Sequence, residues 1–159
     1  VLFSKKALQM LIKKLAKYTL VCPLSTKRGA GHNWREQSIN FYYPKLIARS
    51  NRSANYQLIQ NKIQQNPRKN ICNPIGRFNG FCFGVNRNII ECSFDEDNLF
   101  NPKCTNVGQE SDLGKRLKEK PHVSLGCFIF HFKGKSFQRP KKGNRKGGKD
   151  IRQNLSLYH

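Results

Sequence analysis

Residues 2–18, LFSKKALQMLIKKLAKY, place Leu8, Leu11, Ile12 and Leu15 three and four positions apart, with Lys5, Lys6, Lys13, Lys14 and Lys17 mostly to the other side. Ser4 stands ahead of the run, where a helix cap belongs. The spacing predicts an amphipathic helix within an N-terminal segment, 1–19. Beyond residue 20 the period shortens. INFYY (39–43), YQLIQNKI (56–63), GFCFGV (80–85), NIIECSF (88–94) and VSLGCFIFHF (123–132) are rich in aromatic and β-branched residues and are separated by Gly, Pro and Asn. They predict short strands with no second helix: a mainly β chain, built as a small barrel or sandwich over residues 20–132. Residues 95–121 break the rhythm; acidic and rich in Asn and Lys, they predict a long surface insertion. Residues 133–149 are Gly, Pro and cations with almost nothing apolar, and open a basic tail, 133–159. Such a segment builds no core and is expected as an extended arm, ordered by its partner.

Charge sharpens the picture. The chain has 159 residues, with 30 Lys and Arg against 9 Asp and Glu, a formal charge of +21. A compact domain carrying that much like charge repels itself unless a polyanion neutralises it. Nucleic acid is the first expectation and an anionic membrane surface the second. The acids are unevenly placed. Glu36 is the only one before residue 90, and seven of the nine lie between Glu91 and Glu119. The acid-free helix also has the character of a mitochondrial targeting segment or a membrane-surface helix. Docking of its apolar stripe on the domain or on RNA is the expectation preferred here, with no membrane partner. Heavy use of Asn, Lys, Ile and Phe, all A/T-rich codons, points to an A/T-rich genome such as an organelle's.

Little in the sequence speaks for catalysis. His32, His122, His131 and His159 are scattered, and no Walker loop, paired-carboxylate motif or G-x-S-x-G is present. Cys22, Cys72, Cys82, Cys92, Cys104 and Cys127 form no C-x-x-C pair, and no His stands at zinc-ligand spacing from them. They read as reduced, buried thiols. No enzyme activity, metal or cofactor is expected, and no apolar run approaches the roughly 20 residues of a membrane span.

STKRGAGHNWREQSINF (25–41) gathers Lys27, Arg28, His32 and Arg35 around Gly29, Gly31 and Trp34. Its glycines have the makings of a backbone nest for phosphate. Arg28 and Arg35 suit bidentate phosphate contacts, and His32 and Trp34 offer faces for unpaired bases. ARSNRSANY (48–56) repeats the logic, with Arg49, Asn51 and Arg52 among small polar residues. A solvated basic face is the plain alternative for both.

Taken in order, these stretches resemble the universal large-subunit ribosomal protein L-two family. RGAGHNWREQSINF (28–41) is similar to the family's Arg-Gly-Gly-Gly-His loop, with Ala30 replacing a Gly and Asn33 and Trp34 replacing basic residues. NRSANYQLI (51–59) is similar to its Asn-Arg-Ser-Ala-Asn strand entry, and ICNPIGRFNG (71–80) fits Ile-Leu-Ala-Pro-x-Gly-x-x-x-Gly. HVSLGCFIFHF (122–132) resembles the family's Ile-Pro-x-Gly strand with Gly126 in register, and KGGKD (146–150) echoes its Lys-Gly-Gly loop. The resemblance spans roughly residues 20–150.

It implies an OB-like β-barrel docked on large-subunit rRNA, with other large-subunit proteins as neighbours, in a mitochondrial ribosome. The expected contacts are the two basic loops, Arg77, and Arg139, Lys141, Lys142, Arg145, Lys146 and Lys149 of the arm. The stretch between Gly80 and His122 is longer than the family's. The family's SH3-like second half has no counterpart in these residues; a separate chain that carries it is expected, with an incomplete sequence as the alternative. A free-standing OB-type RNA-binding factor and a basic peripheral membrane protein are the rival readings.

Overall fold

A computed structural model describes residues 1–30, 34–46, 52–96, 98–104 and 108–132. The strands are β1 (Leu2–Phe3), β2 (Leu20–Leu24), β3 (Cys72–Pro74), β4 (Gly84–Val85) and β5 (His122–Phe130). The helices are α1 (Lys5–Leu15), α2 (Lys27–Ala30), α3 (Trp34–Gln37), α4 (Ile39–Tyr42), α5 (Tyr56–Gln64) and α6 (Gln109–Arg116), with 3-10 turns between them.

β5 is the spine of a curled, open, half-barrel sheet. Along one edge runs β2, parallel, with Val21 opposite His122 and Leu24 opposite Phe128. Along the other, β3 pairs with the first half of β5 and β1 with the second, both antiparallel. β4 closes the outer edge of β2. The β2–β5 register slips between Pro23 and Leu24. Proline has no N–H to give the ladder, and a slip in register is where a sheet tolerates it.

The slip leaves β5 with surplus residues and unpaired backbone groups, and side chains take them up. Gln60, fully buried in α5, donates through Nε2 to the Gly126 carbonyl at 2.7 Å and accepts through Oε1 from the Phe128 N–H at 2.7 Å. Gln64 donates to the same Gly126 carbonyl, Tyr43 donates its hydroxyl to the Leu125 carbonyl at 2.9 Å, and the Leu125 N–H reaches Ile71 O. A buried polar group left without such a partner costs about 1–3 kcal/mol. Gly126 carries no side chain for a steric reason: a Cβ there would stand 2.2 Å from the Lys69 carbonyl oxygen.

The irregularity also resets which way β5 faces. Val123, Leu125 and Phe128 join Leu20, Cys22 and Leu24 in one core, against Ile39, Ile59 and Ile63. Cys127 and Ile129 turn to the other side with Val21, Ala7 and Leu11. β2 is thus covered on both faces, and all five of its residues are buried.

α1 forms where its spacing predicts, and Ser4 caps it, its hydroxyl accepting the Ala7 N–H at 3.1 Å. Its buried stripe is rotated from the expected one. Ala7 and Leu11 face the sheet, while Leu8 and Ile12 are 44% and 59% exposed.

The mainly β expectation needs correction, since helix outweighs strand among the described residues. INFYY is not a strand but the one-turn helix α4; Ser38 caps it, Ile39 and Tyr43 point inward, and Phe41 points out. YQLIQNKI is helix α5, in which Ile59 and Ile63, four apart, both reach the core. Of GFCFGV only Gly84–Val85 is strand, and NIIECSF falls mostly in a 3-10 turn over Arg87–Cys92. β5 matches its expected run, and β2 is a strand outside the expected set.

Nor does the acid-bearing stretch 95–121 lie wholly on the surface. Leu113 of α6 is fully buried in the main core. Arg116 donates to the Leu99 carbonyl at 2.8 Å and to the Cys92 carbonyl, and pairs with Asp112 at 2.7 Å.

Candidate nucleic-acid interface

The chain leaves the sheet at Leu24 and returns to it through α4. Between them runs the loop segment 26–37, whose described ends, 26–30 and 34–37, are pinched together at the base. Ser25 donates its N–H to Gln37 O at 2.9 Å, and Ile39 donates to Ser25 O at 2.8 Å. The loop's first turn, α2, is held by Thr26. Its hydroxyl accepts the Gly29 N–H at 2.9 Å, and its carbonyl accepts the Ala30 N–H at 2.8 Å.

These bonds correct the phosphate-nest expectation at its first two positions: the Gly29 and Ala30 amides already have acceptors inside the loop. Gly29 is buried, and its carbonyl is 2.9 Å from His131 Nδ1, whose ring stacks on Phe81 at 5.0 Å. A Cβ at Gly29 would stand 2.4 Å from Ser25 Oγ and 3.2 Å from His131 Cβ. The glycine is therefore needed for close packing of the loop on the sheet, not for contact with a ligand.

A second segment supports the loop from below. Glu36 accepts the N–H groups of Gly76 at 3.2 Å and Arg77 at 3.4 Å. Asn79 donates its backbone N–H to Gln37 Oε1 at 2.6 Å and its side-chain amide to Ala30 O at 3.1 Å. So the single acid of the basic front binds backbone amides of the 75–79 turn. What this frame presents outward is cationic: Lys27, Arg28, Arg35 and Arg77 are all exposed, on segments hydrogen-bonded into one unit.

Arg52 is exposed too, just ahead of the Ser53–Asn55 turn that leads into α5. Trp34 is described as the first residue of α3. Gly31, His32, Arg49, Asn51, Arg139, Lys141, Lys142, Arg145, Lys146 and Lys149 lie outside the described residues, as does the tail 133–159.

Three residues at this surface carried no sequence expectation of contact. Tyr42 donates its hydroxyl to Glu36 O at 3.2 Å, which ties α4 to α3. Arg68 donates to Tyr42 O at 3.3 Å, and Lys45 follows in the Pro44–Leu46 turn; both cations are exposed. The clue to Arg68 is the Asn-Pro pair before it: Asn66 caps the Pro67–Asn70 turn by accepting the Arg68 N–H at 3.0 Å. Burial pushes the Tyr43 phenol up to about 12, and the Arg68 charge pulls against it.

The thiols stand apart from this surface. Cys22, Cys92, Cys104 and Cys127 are buried, Cys72 and Cys82 are half-buried, and none is in a disulfide. Burial holds the thiols of Cys22, Cys72, Cys82 and Cys127 above their ordinary range, so they stay protonated at neutral pH. Among the described residues no group of three His, Cys, Asp or Glu side chains is placed to hold a metal, and no helix is long and apolar enough to cross a membrane. A cavity of about 220 Å³ lies elsewhere, lined by Thr19, Glu91, Cys92, Lys118 and Glu119. Compared with family models, with curated proteins and with solved structures, the chain finds no match.

Proposed function

We propose that this chain is a structural RNA-binding protein of a large ribosomal subunit, in a mitochondrial-type ribosome. In this reading the half-barrel is an elaborated OB-like domain of the L-two type. It holds large-subunit rRNA beside other subunit proteins. One observation carries the reading: loop 26–37 is pinched at its base, bound from below by the 75–79 turn, and presents Lys27, Arg28 and Arg35 outward with Arg77 beside them. A cationic surface on a chain of charge +21 suits the RNA backbone, where phosphate contacts supply affinity and set register. The role is binding and positioning, with no catalytic step.

Co-sedimentation of the tagged full chain with large subunits at moderate salt tests this. Migration with the subunit is the expected result. Recovery in the light fractions, with free-RNA binding intact, would transfer the assignment to a free-standing RNA-binding factor.

The exposed Leu8 and Ile12 of α1, beside exposed Lys5 and Lys13, favour a second reading, a peripheral membrane protein. Anionic vesicles that bind the full chain, but not a Leu8→Ser, Ile12→Ser variant, would select it.

A further inference from the structure

Phe41 is 62% exposed, more than Phe3, Ile12 or Leu58, and the local structure holds it there. Ser38 starts a single helical turn, Ile39 and Tyr43 fill the core four residues apart, and position 41 is left facing water. An unanchored aromatic in water would sweep several rotamers; this one is backed. Its ring meets Tyr42 edge to face at 5.0 Å and 86°. Tyr42 is fixed in turn by its hydroxyl bond to Glu36 O, the carbonyl next to Arg35 in the basic loop. Arg68 is bound to the Tyr42 carbonyl and Lys45 lies four residues on from Phe41, so cations flank the same turn.

We infer that Phe41 is a stacking platform for an unpaired RNA base, with Arg68 and Lys45 holding the adjoining phosphates. The inference rests on the RNA-binding reading and adds a substrate preference to it: single-stranded RNA over duplex. A duplex keeps its bases stacked on one another and offers this ring no open face, whereas an unpaired base stacks on any exposed aromatic. The flanking cations select RNA over an uncharged apolar partner through charge complementarity.

The test uses the full chain and a single-stranded oligoribonucleotide carrying one 2-aminopurine, whose fluorescence drops on stacking, beside a duplex RNA of equal length. The wild-type chain is expected to quench the probe. Phe41→Ala is expected to weaken single-strand binding by about 5- to 150-fold and abolish quenching, with duplex affinity unchanged. Phe41→Tyr keeps a ring and should keep both signals. If the wild-type chain binds RNA and Phe41→Ala binds and quenches equally well, the platform is overturned while the RNA-binding reading stands. Equal losses on single strand and duplex would overturn it too. If the wild-type chain binds neither RNA, the functional reading fails and the platform with it.

Discussion

The front of the molecule, residues 26–77, and its acid-bearing segment, residues 91–119, use charge in opposite ways. In the segment, charges meet one another and the backbone. Arg116 pairs with Asp112 and serves two carbonyls, Lys118 pairs with Glu91, Glu110 accepts the Gly80 N–H, and Glu119 accepts the Thr19 hydroxyl. In the front, backbone bonds and neutral side chains hold the loop, Glu36 serves two amides, and the cations lie exposed outside. One region turns most of its ions onto its own fold; the other is held largely by neutral groups and backbone, and carries most of its cations outside. Removing a charge should therefore cost stability in the first region and RNA affinity in the second.

The largest expected effect comes from Arg116→Ala. It leaves the Cys92 and Leu99 carbonyls and the Asp112 carboxylate short of a partner, and should destabilise the fold by about 2–4 kcal/mol in urea denaturation. RNA affinity of the folded fraction should be unchanged. A smaller effect of the other kind is expected from Arg28→Ala and Arg77→Ala. Each should cost roughly 1–3 kcal/mol of RNA binding if the guanidinium holds a phosphate or base edge bidentately, with under about 0.5 kcal/mol on stability. If these variants unfolded instead, the contrast between the regions would collapse.

A gentler probe is pH. Tyr43 keeps its proton to about pH 12 in the fold, while an unfolded tyrosine loses it near 10. The folded chain holds more protons in that window, so the stability this group supplies is full below about pH 10 and lost as pH rises toward 12. His122 shows the reverse sign. Burial lowers its pKa, so its contribution is present above the ordinary histidine range and lost on acidification. Denaturation midpoints across pH should decline at both ends. A flat alkaline limb would mean that Tyr43 is hydrated.

Parts of this arrangement were legible in the sequence. α1 announced itself through Ser4 and four apolar positions at helical spacing, and β5 through a run of aromatic and β-branched residues. The exposed cations Lys27, Arg28, Arg35, Arg52 and Arg77 could be named because loops rich in Gly and small polar residues put charge outside. Where the pattern misled, two periods competed. Ile39, Phe41 and Tyr43 alternate as a strand does, yet Ile39 and Tyr43 are also four apart behind a capping serine. In YQLIQNKI the β-branched content hid the Ile59–Ile63 spacing that decided for helix.

The supports of the loop were beyond reach for another reason. His131 under Gly29, and Asn79 beside Gln37 and Ala30, come from segments 102, 42 and 49 residues away. Tertiary closure brings them in, and no local period encodes it. Gln60 was hidden the same way: a glutamine in a helix reads as surface until a slipped strand needs both ends of its amide.

The salt dependence of RNA binding tests the central contrast most directly. Each phosphate contact removed should flatten the slope of log affinity against log salt by roughly 0.7–0.9. Replacing Lys27, Arg28, Arg35 and Arg77 together by Gln should therefore lower the slope by about 3. Replacing Lys103, Lys115 and Lys118 of the acid-bearing segment by Gln should leave it where the wild-type chain has it. Equal slopes for the two variants, or a larger fall for the second, would contradict the placement of the RNA-binding surface on the front of the molecule.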